Sequence, residues 1–284
     1  MLKVISSHVF LRSRLHSGLL DTLKRTGAEG MELFAARQHF DYTDRAVVRE
    51  IGDWFRGNPV KPFSLHAPLF ADAEMGRGGG PAVNLVHSDK SRRIAAMDEV
   101  KRALEIAEQV PVEYLVLHLG EREDTWSEYA LDYAMTALEH LKAYASPLGV
   151  KLLLENLHND VTKPAHLVQI LETGHFSTIG VCLDLGHAHM MDGVEGALST
   201  LGPYLRSAHV HDNHGERDEH LWPGEGTIAW DAAWGGLQHA AKQPAGVLEI
   251  HYALDTDPDQ VVEKAKRAFE HFDKSYPAPG VAEQ

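Results

Sequence analysis

One cysteine, Cys182, stands in 284 residues, so no disulfide framework is available and a reducing, cytoplasmic setting is the expectation. No apolar run approaches the roughly 20 residues that a membrane-spanning helix needs. The opening residues, MLKVISSHVF, read as a strand and lack the basic-then-apolar order of a secretory leader. Basic residues are scarce too: 27 Lys and Arg face 41 Asp and Glu, for a formal net charge of −14. That balance argues against loose binding to nucleic acid or an anionic membrane, because neutralising phosphates takes clustered Lys and Arg. No repeat of short period is present, and no shift in composition marks a second domain.

What is present is a core-forming hydrophobic fraction of 44% and an abundance of histidine, 19 residues in all. Short β-rich runs alternate with longer amphipathic stretches. The runs predict strands at Lys3–Ser6, Gly30–Ala35, Pro62–His66, Tyr114–Leu119, Lys151–Asn156, Ile179–Leu185, Arg206–Asp212 and Val247–His251. Helical patterns fill the gaps, among them Ser91–Gln109, Glu128–Ala145 and Asp259–Phe272. Pro164 and Asp231 fall where helices should start, and Gly27 and Gly149 where they should stop. Eight strand–helix units in a chain of this length predict one closed (β/α)8 TIM barrel, an α/β fold that takes about 250 residues. The barrel is assigned to residues 1–274 and a flexible C-terminal tail to 275–284. A glycine-rich insertion, Gly76–Gly80, and a polar loop, Asn213–Gly226, interrupt the rhythm on strand-to-helix connections.

Side chains alternate along a strand, so neighbours show which polar residues turn inward. In LVLHLG, Leu115, Leu117 and Leu119 share one face while Val116 and His118 share the other. The same alternation turns His66, Glu155, Asp184, His209, His211 and Glu249 toward the barrel axis. From the third strand to the eighth, each therefore ends in an inward His, Asp or Glu. A lone strand-end histidine is usually a hydrogen-bonded structural group; six strands in succession are not explained that way. Two like charges about 6 Å apart at an effective dielectric of 20 repel by roughly 3 kcal/mol. Glu155, Asp184 and Glu249 together thus need raised pKa values or a cation. Mixed N/O donors suit Zn, Mn, Co or Fe better than Ca.

SLHAP, LVLHLG, LLLEN, VCLDLGHAH, SAHVHDN, DEH, PGEGTIAW and VLEIHY, in this order from Gly30 to Tyr252, resemble the xylose-isomerase-like TIM-barrel superfamily. That group holds sugar phosphate isomerases and epimerases and the AP endonucleases of family 2. Similarity to the isomerases implies one metal held by Glu155, Asp184, His209 and Glu249, with His211 as rival for the histidine's place. Similarity to the AP endonucleases implies a three-zinc cluster on His66, His118, Glu155, Asp184, His187, His209, Asp218, His220 and Glu249. The cofactor expected is a divalent metal, Zn, Mn or Co, in one to three ions, with fewer than three favoured.

Weaker signals surround this set. Glu32 ends the second strand facing in, and with His211 and Arg122 is a candidate substrate contact; a structural Glu32 and a solvated Arg122 are the competing readings. His189, His214 and His251 read as rim residues. Gly224-Glu225-Gly226 is a tight turn, and Trp230 and Trp234 read as packing residues.

The resemblance leads to a metal-dependent isomerase or epimerase acting on a small carbohydrate substrate. Glu155 and Glu249 would move the proton through an enediolate, with His187 beside the developing oxyanion. Phosphodiester hydrolysis at abasic DNA is the second reading; its ligands are present, but the loops are not basic and no wedge residues stand out. A lyase or dehydratase using the same site is a third. Fold and ligands do not select among reactions, and homo-oligomerisation is left open.

Overall fold

The computed structural model describes residues 1–72, 80–251 and 257–275. Eight strands, β1 (Lys3–Ser6), β2 (Gly30–Phe34), β3 (Lys61–His66), β4 (Tyr114–Leu117), β5 (Lys151–Glu155), β6 (Gly180–Asp184), β7 (Leu205–Val210) and β8 (Ala245–Leu248), pair in parallel in sequence order. β8 returns to β1 with Val4 opposite Val247, closing the sheet. The predicted barrel is observed. Helices α1 (Ser17–Lys24), α2 (Arg45–Arg56), α3 (Lys90–Leu104), α4 (Glu128–Ala145), α5 (Pro164–Thr173), α6 (Leu185–Met190), α7 (Val194–Leu201), α8 (Trp230–Gln238) and α9 (Pro258–Ser275) connect the strands. No helix among the described residues is long and apolar enough to cross a membrane.

Local chemistry sets the helix ends. Asp44, Asp89 and Ser127 cap α2, α3 and α4 by accepting from first-turn N–H groups. Pro164 opens α5, and Gly149 follows the α4 region in a left-handed conformation that glycine tolerates. The pattern expected as one helix to Gln109 ends as α3 and resumes as a 3-10 turn at Glu105–Glu108. The short α6, which the sequence does not announce, begins at once after β6 because Asp184 caps it, accepting from the His187 N–H at 2.6 Å. Several strands stop one to three residues before their expected ends. The ladder ceases once the chains diverge at the mouth, leaving His118, His211 and Glu249 just beyond paired backbone. The predicted glycine-rich insertion lies, apart from Gly80, outside the described residues, as does the tail after Ser275.

The alternation read from sequence holds in space. Leu115, Leu117, Leu152, Leu154, Val181, Leu183, Ala208 and Val210 pack outward in the main core under the helices. Inside the barrel, Val4, Phe63, Ala245 and Val247 plug the N-terminal end. Val116, Leu153 and Cys182 form the layer above. Glu32, Ser64, Glu155, Asp184, His209 and Glu249, all buried, complete the stack toward the C-terminal mouth. Apolar layers beneath the charged one exclude water from below.

Phe63→Ala should test the plug. Removing a buried phenyl ring costs about 3–5 kcal/mol, so the urea midpoint should fall accordingly. An unchanged midpoint would show that the barrel closes without its floor.

Candidate metal centre at the barrel mouth

Strand ends bring the donors together. Glu155, Asp184, His209 and Glu249 each place one donor atom within 4.8 Å of the others. The His209 Nδ1 lies 3.1 Å from Glu249 Oε2, 3.3 Å from Glu155 Oε1 and 3.7 Å from Asp184 Oδ2. On its far side, Nε2 lies 3.4 Å from Glu32 Oε2, which also accepts from Ser64 Oγ at 2.7 Å. A carboxylate behind a histidine fixes its tautomer: Nε2–H donates to Glu32, and the Nδ1 lone pair faces the centre.

Two further sets flank this one. His66 and His118 point Nε2 at Glu155 Oε2 from 3.2 and 3.0 Å. His187 and His220 point Nε2 at Asp218 Oδ2 from 3.2 and 3.1 Å. The His211 ring stacks on His220 with centroids 3.9 Å apart, and it too has a donor atom near Asp218 and His220.

The hydrogen-bond chemistry shows why a cation fits here. His66, His187 and His220 each donate through Nδ1 to a backbone carbonyl, of Ala67, Asn156 and Glu249 respectively. The tautomer is thereby set, and a neutral ring then offers only a lone pair through Nε2. That lone pair would face a carboxylate oxygen, acceptor against acceptor. His209 has the same conflict on its inner side. Each contact needs either a second proton on the ring or a metal ion between ring and carboxylate. His211 has no such conflict: Nε2–H donates to Asp184 Oδ2 at 2.9 Å, and Nδ1 has no partner. It braces a ligand in the manner of an outer-shell donor, so the geometry favours His209 for the central position.

Without a cation between them, the conflict raises His66, His187, His209 and His220, while burial lowers His118 and His8. Burial disfavours the charged ring, yet Asp184 and Asp218 outweigh it and push His187 up to about 10. Burial likewise opposes Asp218 and Glu249 at His220, which rises to about 9. His209 moves well above its ordinary value and His66 upward, again against burial. The carboxyls of Glu155, Asp184, Asp218 and Glu249 are held far below theirs, because nearby imidazoles overcome burial.

A cavity of about 700 Å³ opens above these groups. Glu155, Glu249, His66, His118, His187, Asp218 and His220 line its charged side, and Phe34, Leu69, Phe70, Val83, Leu157 and Met190 its apolar side. Arg122, read as a substrate contact, does line it, together with Arg217. Glu32 and His211, read the same way, do not: both are fully buried behind His209 and Asp184. Their side chains point inward as expected, but Glu32 is covered by His209, and His211 by Asp184 and the His220 ring stacked on it. His251 reaches the rim. His189 bonds Thr227, and His214 bonds Glu219. The sequence reading passed over His8. It sits just past β1, donates Nδ1–H to the Ile250 carbonyl at 3.2 Å, and lines the cavity beside Phe34 and His220. The sequence offered little signal, since His8 lies in the 3-10 turn after β1 rather than on the strand.

A parallel barrel whose His, Asp and Glu donors gather at the C-terminal mouth has the architecture of the metal-site TIM barrels. More particularly, the family described as xylose isomerase-like TIM barrel matches residues 20–273, and the chain belongs to it. It is 28% identical to a probable endonuclease 4 of Haloquadratum walsbyi, covering 72% of this chain and 71% of that protein. It is 24% identical to the fructoselysine 3-epimerase of Escherichia coli O157:H7, covering 71% and 73%. The crystal structure of the IOLI protein with a binding zinc atom superposes with a TM-score of 0.81 at 19% identity, covering 98% of this chain and 100% of that one. Against three other curated relatives, the chain spans 75, 62 and 50% of their length.

Metal binding should expel protons. An imidazole must be neutral to ligate, so zinc uptake at pH 7 on the central group should release the proton of His209, and occupancy of the Asp218 set should add those of His187, raised to about 10, and His220, raised to about 9. Apparent affinity should climb as pH rises toward those values. Calorimetry in buffers of different ionisation enthalpy reads the count; heats independent of buffer would refute a centre built on these histidines.

Proposed function

We propose that this chain is a divalent-metal-dependent isomerase or epimerase of a sugar or sugar phosphate, working in the cytoplasm. The observation that carries the reading is the pair Glu155 and Glu249. They stand on well-separated strand ends, both contact His209 Nδ1, and both line the same small cavity. A sugar carbon seated between them has a carboxylate on either side. Both groups stay ionised at neutral pH, as a base must. One accepts the proton from the carbon beside the carbonyl, and the other returns a proton to the opposite face or the neighbouring carbon. A divalent ion, Zn, Mn or Co, held by Glu155, Asp184, His209 and Glu249 supplies Lewis-acid polarisation of the carbonyl and adjacent hydroxyl. His187 faces the same space and stabilises negative charge on the substrate oxygen where it is not itself a ligand. Arg122 and Arg217, which form no ion pair among the described residues, suit an anionic substituent at the rim. The apolar wall limits water around the reacting carbon.

One observation favours a second reading, phosphodiester hydrolysis: the three donor sets, two of which share Glu155. His66, His118, His187, Asp218 and His220 would then complete a polynuclear centre. The cavity suits a small molecule better than a duplex, and a net charge of −14 leaves the mouth with few cations to hold phosphates.

Deuterium uptake from solvent into a panel of ketoses and their phosphates, followed by NMR, tests the proposal. Glu155→Gln and Glu249→Gln should each lower exchange by ~10²–10⁴-fold, the usual worth of a positioned proton carrier, with the barrel still folded. Nicking of an abasic duplex by the wild type, lost in Glu249→Gln, would replace the isomerase reading with the hydrolytic one.

A further inference from the structure

The connection from β7 to α8 carries Arg217, Asp218 and His220 into the cavity, yet it contains only one backbone bridge, Asp212 to Leu221. A loop of that length is entropically free unless something ties it down, and ligand atoms must be held to within about 0.5 Å. Backbone bonds from Thr227 to Asn213 and from His251 to His220, both at 2.9 Å, hold parts of the loop; its two ends are gathered by Asp212, a carboxylate with no solvent exposure. Its Oδ1 accepts from the N–H of Asn213 at 2.9 Å and of Ile228 at 3.1 Å. Its Oδ2 accepts from the N–H of Gly224 at 2.9 Å and the indole N–H of Trp230 at 2.8 Å. Its backbone exchanges two hydrogen bonds with Leu221, at 2.8 and 2.9 Å. The donors come from both ends of the loop, so a single side chain gathers residues 213–230 around itself. No Lys, Arg or His among the described residues pairs with it; four neutral N–H groups carry the charge.

The packing around the carboxylate is equally specific. A Cβ added at Gly226 would overlap both Asp212 Oδ1 and the Asn213 carbonyl. The turn at 224–226 therefore lies against the carboxylate as closely as backbone permits. Beyond the clamp, the same loop sets Asp218 Oδ2 between His187 and His220.

We infer that Asp212 is a positioning residue of the metal centre: it touches none of the proposed ligands but folds the loop that delivers Asp218 and His220, and so controls retention of the ion those two hold with His187. The inference rests on the metal reading of that set, and the test separates the two. Zinc per chain is measured after dialysis against a fixed low concentration of free zinc, with cobalt(II) absorption spectra alongside. The proteins are the wild type, Asp212→Asn, Gly226→Ala, Asp218→Ala and Asp184→Asn. Asp212→Asn reverses the polarity facing two donors, whereas Gly226→Ala pries the loop away without altering any buried polar group.

Both clamp variants should lose the same ion and the same cobalt bands as Asp218→Ala, its dissociation constant rising roughly 10–100-fold, the usual loss when a supporting partner of a ligand is removed. Both should keep the ion that Asp184→Asn abolishes, and both should melt cooperatively. A merely structural Asp212 would lower the melting temperature and leave the ion count alone. A folded clamp variant with the full zinc complement overturns the inference, as does loss of cooperative folding in both. If Asp218→Ala costs no ion, the inference falls together with the Asp218 set, while Asp184→Asn still judges the central site independently.

Discussion

Four imidazoles at the barrel mouth each have one nitrogen committed to an acceptor and the other aimed at a carboxylate. Everything else about the site follows from that arrangement. A hydrogen bond needs a donor, and carboxylates and carbonyls supply none. His66, His187, His209 and His220 must therefore carry a second proton or share a cation with the acid opposite. Buried and unbalanced, Glu155, Asp184 and Glu249 would repel one another strongly in so poorly solvated a place, with the more exposed Asp218 at their edge. Protonated rings are the metal-free solution. Divalent ions are the denser one, placing two charges where two protonated rings would otherwise be needed.

The barrel supplies the means of holding acceptors against acceptors. Parallel strands aim their ends at one mouth, and alternation turns every second side chain inward. Below the charged layer lie Val116, Leu153 and Cys182, and below these the plug of Val4, Phe63, Ala245 and Val247. These side chains leave the acids no aqueous retreat, so their solvation must come from within the layer. Glu32 and His211 supply it from behind, one bonding His209 and the other Asp184. Loops do the rest, and the one between β7 and α8 brings its own internal clamp.

Periodicity exposes direction but not depth, which divides what could be read in the sequence from what could not. The inward turn of Glu155, Asp184, His209 and Glu249 follows from Leu154, Leu183, Val210 and Leu248 facing out, and the structure agrees. Glu32 and His211 obey the same alternation, yet they end covered, one behind His209 and the other behind Asp184 and His220, because what covers a side chain comes from other elements and is invisible in any one strand. The ends of β4, β7 and β8 were overrun for a related reason: residues past the last paired backbone keep the strand's pattern without its ladder. His8 lies in the 3-10 turn after β1, where strand alternation no longer says which way a side chain points. The clamp at Asp212 was hidden more thoroughly. Three of its four partners are backbone N–H groups, up to sixteen residues away, and backbone amides leave no trace in composition; the fourth, the Trp230 indole, reads as packing.

Ion count and reaction class are one question in this site, and Glu155 joins them. Its Oε1 faces His209 and its Oε2 faces both His66 and His118. Glu249 is committed on one side only, with Oε2 toward His209; its other oxygen has no hydrogen bond to the described residues. If an ion were held by Glu155 together with His66 and His118, Glu155 Oε2 would share its charge with that ion and would be a weaker base toward a substrate proton. Two-carboxylate proton transfer then gives way to chemistry that spans neighbouring ions, as hydrolysis does. If that pair instead turns to substrate, Glu155 Oε2 can open toward the cavity and act opposite Glu249. The same donors are therefore compatible with either reaction class, and the metal content at His66 and His118 is the measurement that bears on the choice.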